Sequence, residues 1–167
     1  MSVALLMGSD SDLPRLESCL NTLRSFGVPF EARVMSAHRT PADVVEFVES
    51  APSRGIKVLI CAAGGAAHLA GVVAGHTHLP VIGIPMDNAP MGGLDALLAT
   101  VQMPAGVPVA TVATGGGGAT NAALLALRIL GVADPEIAKK VQEHRASQAE
   151  KVRAKDAALQ AKLAGNS

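Results

Sequence analysis

Two stretches without a single Asp, Glu, Lys or Arg, residues 58–86 and 96–127, constrain most strongly what this chain can fold into. Each is longer than the roughly 20 residues that span a bilayer. Their contents argue against a span. The first holds His68, His76, His78, Pro80, Pro85 and several glycines; the second holds Gln102, Pro104, Pro108 and the run Gly115-Gly116-Gly117-Gly118. Backbone groups interrupted in this way would lack partners in lipid. They are accommodated instead as short strands and helices buried on both faces of a parallel α/β sheet. Met1-Ser2-Val3-Ala4-Leu5-Leu6-Met7 carries no basic segment, and Asp10 soon follows, so no signal peptide is expected. The expectation is a cytoplasmic protein with no membrane role.

A length of 167 residues suits one domain with its own core. With three Phe and no Trp or Tyr, that core is built from Val, Leu, Ile, Ala and Met. Fourteen basic and fourteen acidic residues cancel. A neutral chain without aromatic platforms is a poor binder of nucleic acid, and none is expected as a partner. Cys19 and Cys61 show neither a CxxC pair nor a metal-ligand spacing, so they read as reduced core thiols, and no metal site is expected.

Strand-like runs at 3–7, 30–34, 56–62, 81–84 and 107–112 alternate with helical patterns at 13–26, from Pro41 onward, 66–75, 94–101 and 119–130. Gly27 suits a left-handed cap, and Thr40-Pro41-Ala42-Asp43 reads as a capped helix start. The pattern predicts an α/β three-layer sandwich, flavodoxin-like, with a five-stranded parallel sheet in the order 2-1-3-4-5. Residues 1–133 form this domain. Residues 134–167 form a helical extension whose apolar stripe (Ile137, Val141, Val152, Leu159, Leu163) is too thin to fold alone. It is expected to pack on its own domain or on a neighbouring subunit.

Ligands of open parallel sheets sit beyond the carboxyl ends of the strands. The unusual residues of this sequence fall there. Gly8-Ser9-Asp10-Ser11-Asp12 follows strand one, Ser36-Ala37-His38-Arg39-Thr40 follows strand two, and Gly64-Gly65-Ala66-Ala67-His68 follows strand three. The glycine run at 115–118 follows strand five, as an anion-binding loop or a tolerant connection. Arg39 beside a helix start suits a phosphate, and His38 can move a proton near neutral pH. A surface arginine and a capping histidine would look the same in isolation. Ser9 suits a phosphate and Asp12 ribose hydroxyls or an amino group, although Ser11 or Asp12 could equally cap the helix. Bare N–H groups around Gly64, Gly65 and Ala66 suit a carboxylate or phosphate. His68, taken alone, reads more readily as a structural residue of the first helical turn.

Together these segments, with Gln102-Met103-Pro104-Ala105-Gly106-Val107-Pro108-Val109, resemble the class I PurE family of N5-carboxyaminoimidazole ribonucleotide mutases, over residues 3–130. The resemblance implies a cofactor-free isomerase of purine biosynthesis that converts N5-carboxyaminoimidazole ribonucleotide to 4-carboxy-5-aminoimidazole ribonucleotide by decarboxylation and recarboxylation. It implies a homo-octamer with a small ribonucleotide as substrate. It places the catalytic histidine on His38, substrate binding on Ser9, Asp12, Ser36 and Arg39, and a second site histidine on His68. Gly64, Gly65 and Ala66 become the lining of a small pocket for carbon dioxide. The chain departs from the family pattern at Ala70 and at 113–118. Two alternatives stay open: a class II carboxylase acting on aminoimidazole ribonucleotide with carbon dioxide, and a non-catalytic nucleotide-binding module on the same fold.

Overall fold

The computed structural model describes residues 1–88 and 90–165. Five strands form one sheet: β1 (Ser2–Met7), β2 (Phe30–Val34), β3 (Ile56–Ala63), β4 (Val81–Pro85) and β5 (Ala110–Thr111). Their order is β2-β1-β3-β4-β5, and every pairing is parallel. This is the flavodoxin-like arrangement expected from the alternation. Among the described residues six helices connect or follow the strands: α1 (Leu13–Ser25), α2 (Pro41–Ser50), α3 (Leu69–Gly75), α4 (Leu94–Val101), α5 (Gly115–Gly131) and α6 (Pro135–Ala164). A 3-10 turn, Asp10–Asp12, leads into α1. Among the described residues no helix is long and apolar enough to cross a membrane.

The period of two in the central strands divides the core into two layers. Val3, Leu5 and Met7 of β1, with Val58, Ile60, Ile82 and Ile84, face α1, α5 and the start of α6. Ala4 and Leu6, with Leu59, Cys61 and Val81, face α2 and α3. β1, β3 and β4 are thus buried on both faces, which accounts for the lack of charge in residues 58–86. α5 brings Ala119, Ala122, Ala123, Ala126 and Leu127 against the sheet with no solvent exposure.

Local signals explain most element ends. Gly27 has φ +71°; its N–H reaches Arg24 O at 2.9 Å while Val28 N reaches Leu23 O at 3.1 Å, a Schellman closure of α1. Asp134 caps α6 by accepting from Glu136 N at 3.0 Å and Ile137 N at 3.2 Å.

Four expectations are corrected. β5 is two residues long instead of six and begins only after Pro108, which has no N–H to donate to a ladder. In the outer strand β2, Phe30, Ala32 and Val34 alternate with Glu31 and Arg33, a pattern that predicts a half-buried strand, yet it is mostly exposed and the alternation does not bury Ala32 or Val34. The glycine run at 115–118 is the first turn of α5, not a loop. Its tightness at Gly118 is required: a Cβ there would lie 1.7 Å from Ala113 O. Thr40 precedes α2 but makes no capping bond; its hydroxyl accepts from Ser36 N at 3.0 Å instead.

Candidate active site

The carboxyl ends of β2, β1, β3 and β4 open into one cavity of about 350 Å3. It is lined by groups from four loops, and those loops follow the strand order. Three interstrand gaps of about 4.8 Å make this row roughly 14 Å long, the scale of a small nucleotide.

Ser36, His38 and Arg39 occupy the β2 end. The backbone from Ser36 to Thr40 closes as a turn, with Thr40 N donating to Ser36 O at 2.9 Å. Ser36 Oγ accepts from Arg39 N at 3.2 Å and from its Nε at 3.4 Å. Arg39 Nη2 donates to Gly8 O at 2.8 Å, tying the β2 loop to the β1 loop. The guanidinium is therefore held by two bonds, to Ser36 and to Gly8, while it stays exposed to solvent.

The β1 loop contributes Gly8, Ser9, Ser11 and Asp12. Ser9 caps the 3-10 turn by accepting from Ser11 N at 3.3 Å, and its hydroxyl lies 2.8 Å from that of Ser11. Asp12 is only 4% exposed and makes no capping bond with α1. Burial raises its carboxyl above the ordinary carboxylate range, and the nearby Arg15 charge partly opposes this. An acidic group held in this way is not an ordinary helix cap.

The β3 loop turns sharply. Gly65 has φ +62° and Ala67, an L residue, has φ +39°. Ala67 N closes the turn onto Gly64 O at 3.2 Å. A positive φ at alanine is strained, and here the strain places the next residue. As a result α3 begins at Leu69 and not at Ala66, and His68 stands before the helix, not within its first turn. His68 Nδ1 meets His38 Nε2 at 2.7 Å, with the rings edge to face at 84°. One nitrogen of the facing pair donates and the other accepts, so both rings cannot be doubly protonated while the bond lasts.

The structure therefore gathers His38, Ser9, Asp12, Ser36, Arg39, Gly64 and His68 around one cavity. Gly65 and Ala66 belong to the same turn but do not line it. Asn88, three residues past β4, lines the far end and was missed from the sequence. The same rule of position, applied to the loop after the fourth strand, would have found it. Arg15 was missed as well. Its Nη1 donates to Asn88 Oδ1 at 2.5 Å and lies 3.6 Å from Asp87. The glycine run does not line the cavity; a Cβ on Gly115 would lie 3.0 Å from Asp87 Oδ2, so this bare residue lets Asp87 approach α5.

Groups away from the cavity have ordinary roles. Burial pushes the Cys19 thiol up to about 12 and the Cys61 thiol higher still, which leaves both as core residues without nucleophilic character. His144 packs on Phe26 with ring centroids 5.6 Å apart, and His76 lies 3.9 Å from Glu49.

Fold and site together define a flavodoxin-like α/β protein with a small-molecule cavity at the carboxyl edge of its sheet. A model of the AIR carboxylase family matches residues 2–151, and the chain belongs to that family. It is 52% identical over 153 residues to the N5-carboxyaminoimidazole ribonucleotide mutase of Pyrococcus horikoshii, covering 92% of this chain and 85% of that one. It is 52% identical over 143 residues to the enzyme of the same name from Thermotoga maritima, covering 86% and 82%. The crystal structure of Treponema denticola PurE superposes with a TM-score of 0.85 at 33% identity, covering 93% of this chain and 96% of that one.

Proposed function

We propose that the chain is an N5-carboxyaminoimidazole ribonucleotide mutase, with His38 as its acid and base. The observation that carries this reading is the His38–His68 pair, 2.7 Å apart in a cavity whose β2 end holds a fixed arginine. Protonated His38 gives its proton to the exocyclic nitrogen as the N–C bond of the carbamate breaks and carbon dioxide leaves. The adjacent ring carbon then attacks the retained carbon dioxide. The proton lost from that carbon returns to His38, which ends as it began. The hydrogen bond to His68 favours one orientation of the His38 ring throughout. Arg39, Ser36 and Ser9 suit the phosphate, and Asp12 the ribose side.

Incubation with the carbamate, with product formation followed against its spontaneous decay, tests the reading. Turnover without added bicarbonate or ATP supports it. A second reading, direct carboxylation of aminoimidazole ribonucleotide, is favoured by the family's description as AIR carboxylase. Rapid and complete entry of labelled bicarbonate into product would select it.

The reading extends to a cytoplasmic homo-octamer. Leu94, Leu98 and Val101 of α4 and Val152 and Leu159 of α6 are large apolar residues left exposed, which supports a further apolar contact. Removing residues 146–167 keeps Ile137, Lys140 and His144 on the core. Light scattering is expected to show a smaller assembly after this truncation, and an unchanged one would leave α6 out of the contact.

A further inference from the structure

The far end of the cavity carries a device that the reaction outlined above does not use. Asn88 lies against Gly64 so closely that a Cβ on the glycine would fall 2.3 Å from Asn88 Nδ2 and 3.2 Å from its Cγ. The other half of the amide is engaged by Arg15, whose Nη1 donates to Oδ1 at 2.5 Å. A guanidinium has donors and no acceptor, so it can bond only the oxygen of the amide. Arg15 therefore fixes which way Asn88 points and leaves Nδ2, with two hydrogens, on the Gly64 side at the cavity wall. Arg15 is itself anchored from behind by Asp87 at 3.6 Å, and Asp87 abuts the start of α5 at Gly115.

We infer that Asn88 is a substrate-contacting residue that donates Nδ2–H to the carboxylate on the imidazole, with Arg15 as its positioning residue. This rests on the mutase reading. The order of the strands sets which part of the ligand Asn88 meets. Arg39 is after β2, and Asn88 is after β4, at opposite ends of a row about 14 Å long. A phosphate held at Arg39 directs the heterocycle toward β3 and β4. There the described cavity lining offers bare backbone at Gly64, the imidazole of His68 and the Asn88 amide. Of these side chains, only the amide presents a donor that no proton transfer can remove. A donor of that kind suits a carboxylate that must be held whether or not the histidines carry the proton.

The test compares the 4-carboxylated aminoimidazole ribonucleotide with the same nucleotide lacking the carboxylate, by calorimetric titration of the full chain. Asn88→Asp replaces the donor with an acceptor of the same shape. It is expected to weaken the carboxylated nucleotide on the order of 10–100-fold. The other nucleotide should change by less than about threefold, and the melting temperature should hold. Arg15→Met frees the amide to turn and should give a smaller loss with the same selectivity. Arg15→Lys should recover part of it. Arg15→Met combined with Asn88→Asp should be no worse than Asn88→Asp alone, because both act through one bond. Equal weakening of both nucleotides, or none, would overturn the inference. If the unsubstituted chain binds neither nucleotide, it is the mutase reading that fails.

Discussion

The two ends of the cavity are built in different ways. At the β2 end, Ser36, Arg39 and Thr40 are within five residues of one another and are organised mainly by a local turn, with one bond from Arg39 reaching out to Gly8 O. At the β4 end, Asn88 is set by Arg15, 73 positions earlier, and by the bare face of Gly64 in the loop after β3. A local turn survives small changes elsewhere. A clasp made from three elements depends on how those elements pack. The first end should therefore respond to substitutions by changing chemistry or charge, and the second by changing geometry.

The largest effect is expected at the chemical end. His38→Asn should lower turnover by about 10²–10⁴-fold while leaving nucleotide affinity within a few-fold, since general acid–base catalysis contributes on that scale. Turnover and affinity measured on the same preparation would check this. A variant retaining most of its activity would remove His38 from the proton transfers.

Arg39→Lys keeps the charge and loses the planar fork that reaches Ser36 and Gly8 together. The expected loss is roughly 10-fold in affinity for the nucleotide and much less for its dephosphorylated nucleoside. Equal loss on both would show that Arg39 is not the phosphate ligand.

Two neighbouring glycines sharpen the contrast at the other end. Gly64→Ala places a methyl 2.3 Å from Asn88 Nδ2 and should displace the amide, raising KM while the melting temperature moves little. Gly65→Ala meets nothing within 4 Å but sits at φ +62°. It should cost about 1–2 kcal/mol of stability with little change in KM. Thermal melts and KM values of the two variants would separate collision from strain.

The smallest effect concerns Asp12, between the two ends. Its carboxyl is raised above 3.8, first by burial, against a weaker opposing influence of Arg15. The folded state then binds the proton more tightly than the unfolded state. Stability contributed by the protonated form is full below 3.8 and is lost as pH rises through the raised value. Asp12→Asn, which cannot ionise, should raise the denaturation midpoint at pH 7 and leave it nearly unchanged near pH 3. Denaturant titrations at the two pH values would show whether the gap closes on the acid side.

Much of this protein is determined by sequence alone. Buried parallel strands have no charge to place on either face, so residues 58–63 and 81–86 declare themselves by composition. Parallel strands put all their carboxyl ends on one edge, so the loops bearing Ser9, His38, Arg39 and Gly64 had to meet. Chain connectivity and a period of two are enough for that. Tertiary structure alone decided the rest. The glycine run at 115–118 became helix because α5 packs on the sheet beside α1 with Gly115 and Gly118 buried, where packing outweighs poor helix propensity. Asp12 became a buried carboxyl group although the three residues before it, Ser9, Asp10 and Ser11, are polar. Arg15 found Asn88 because α1 and the end of β4 converge in space. Contacts between distant elements depend on the angle and depth at which those elements pack, and no local periodicity carries that information.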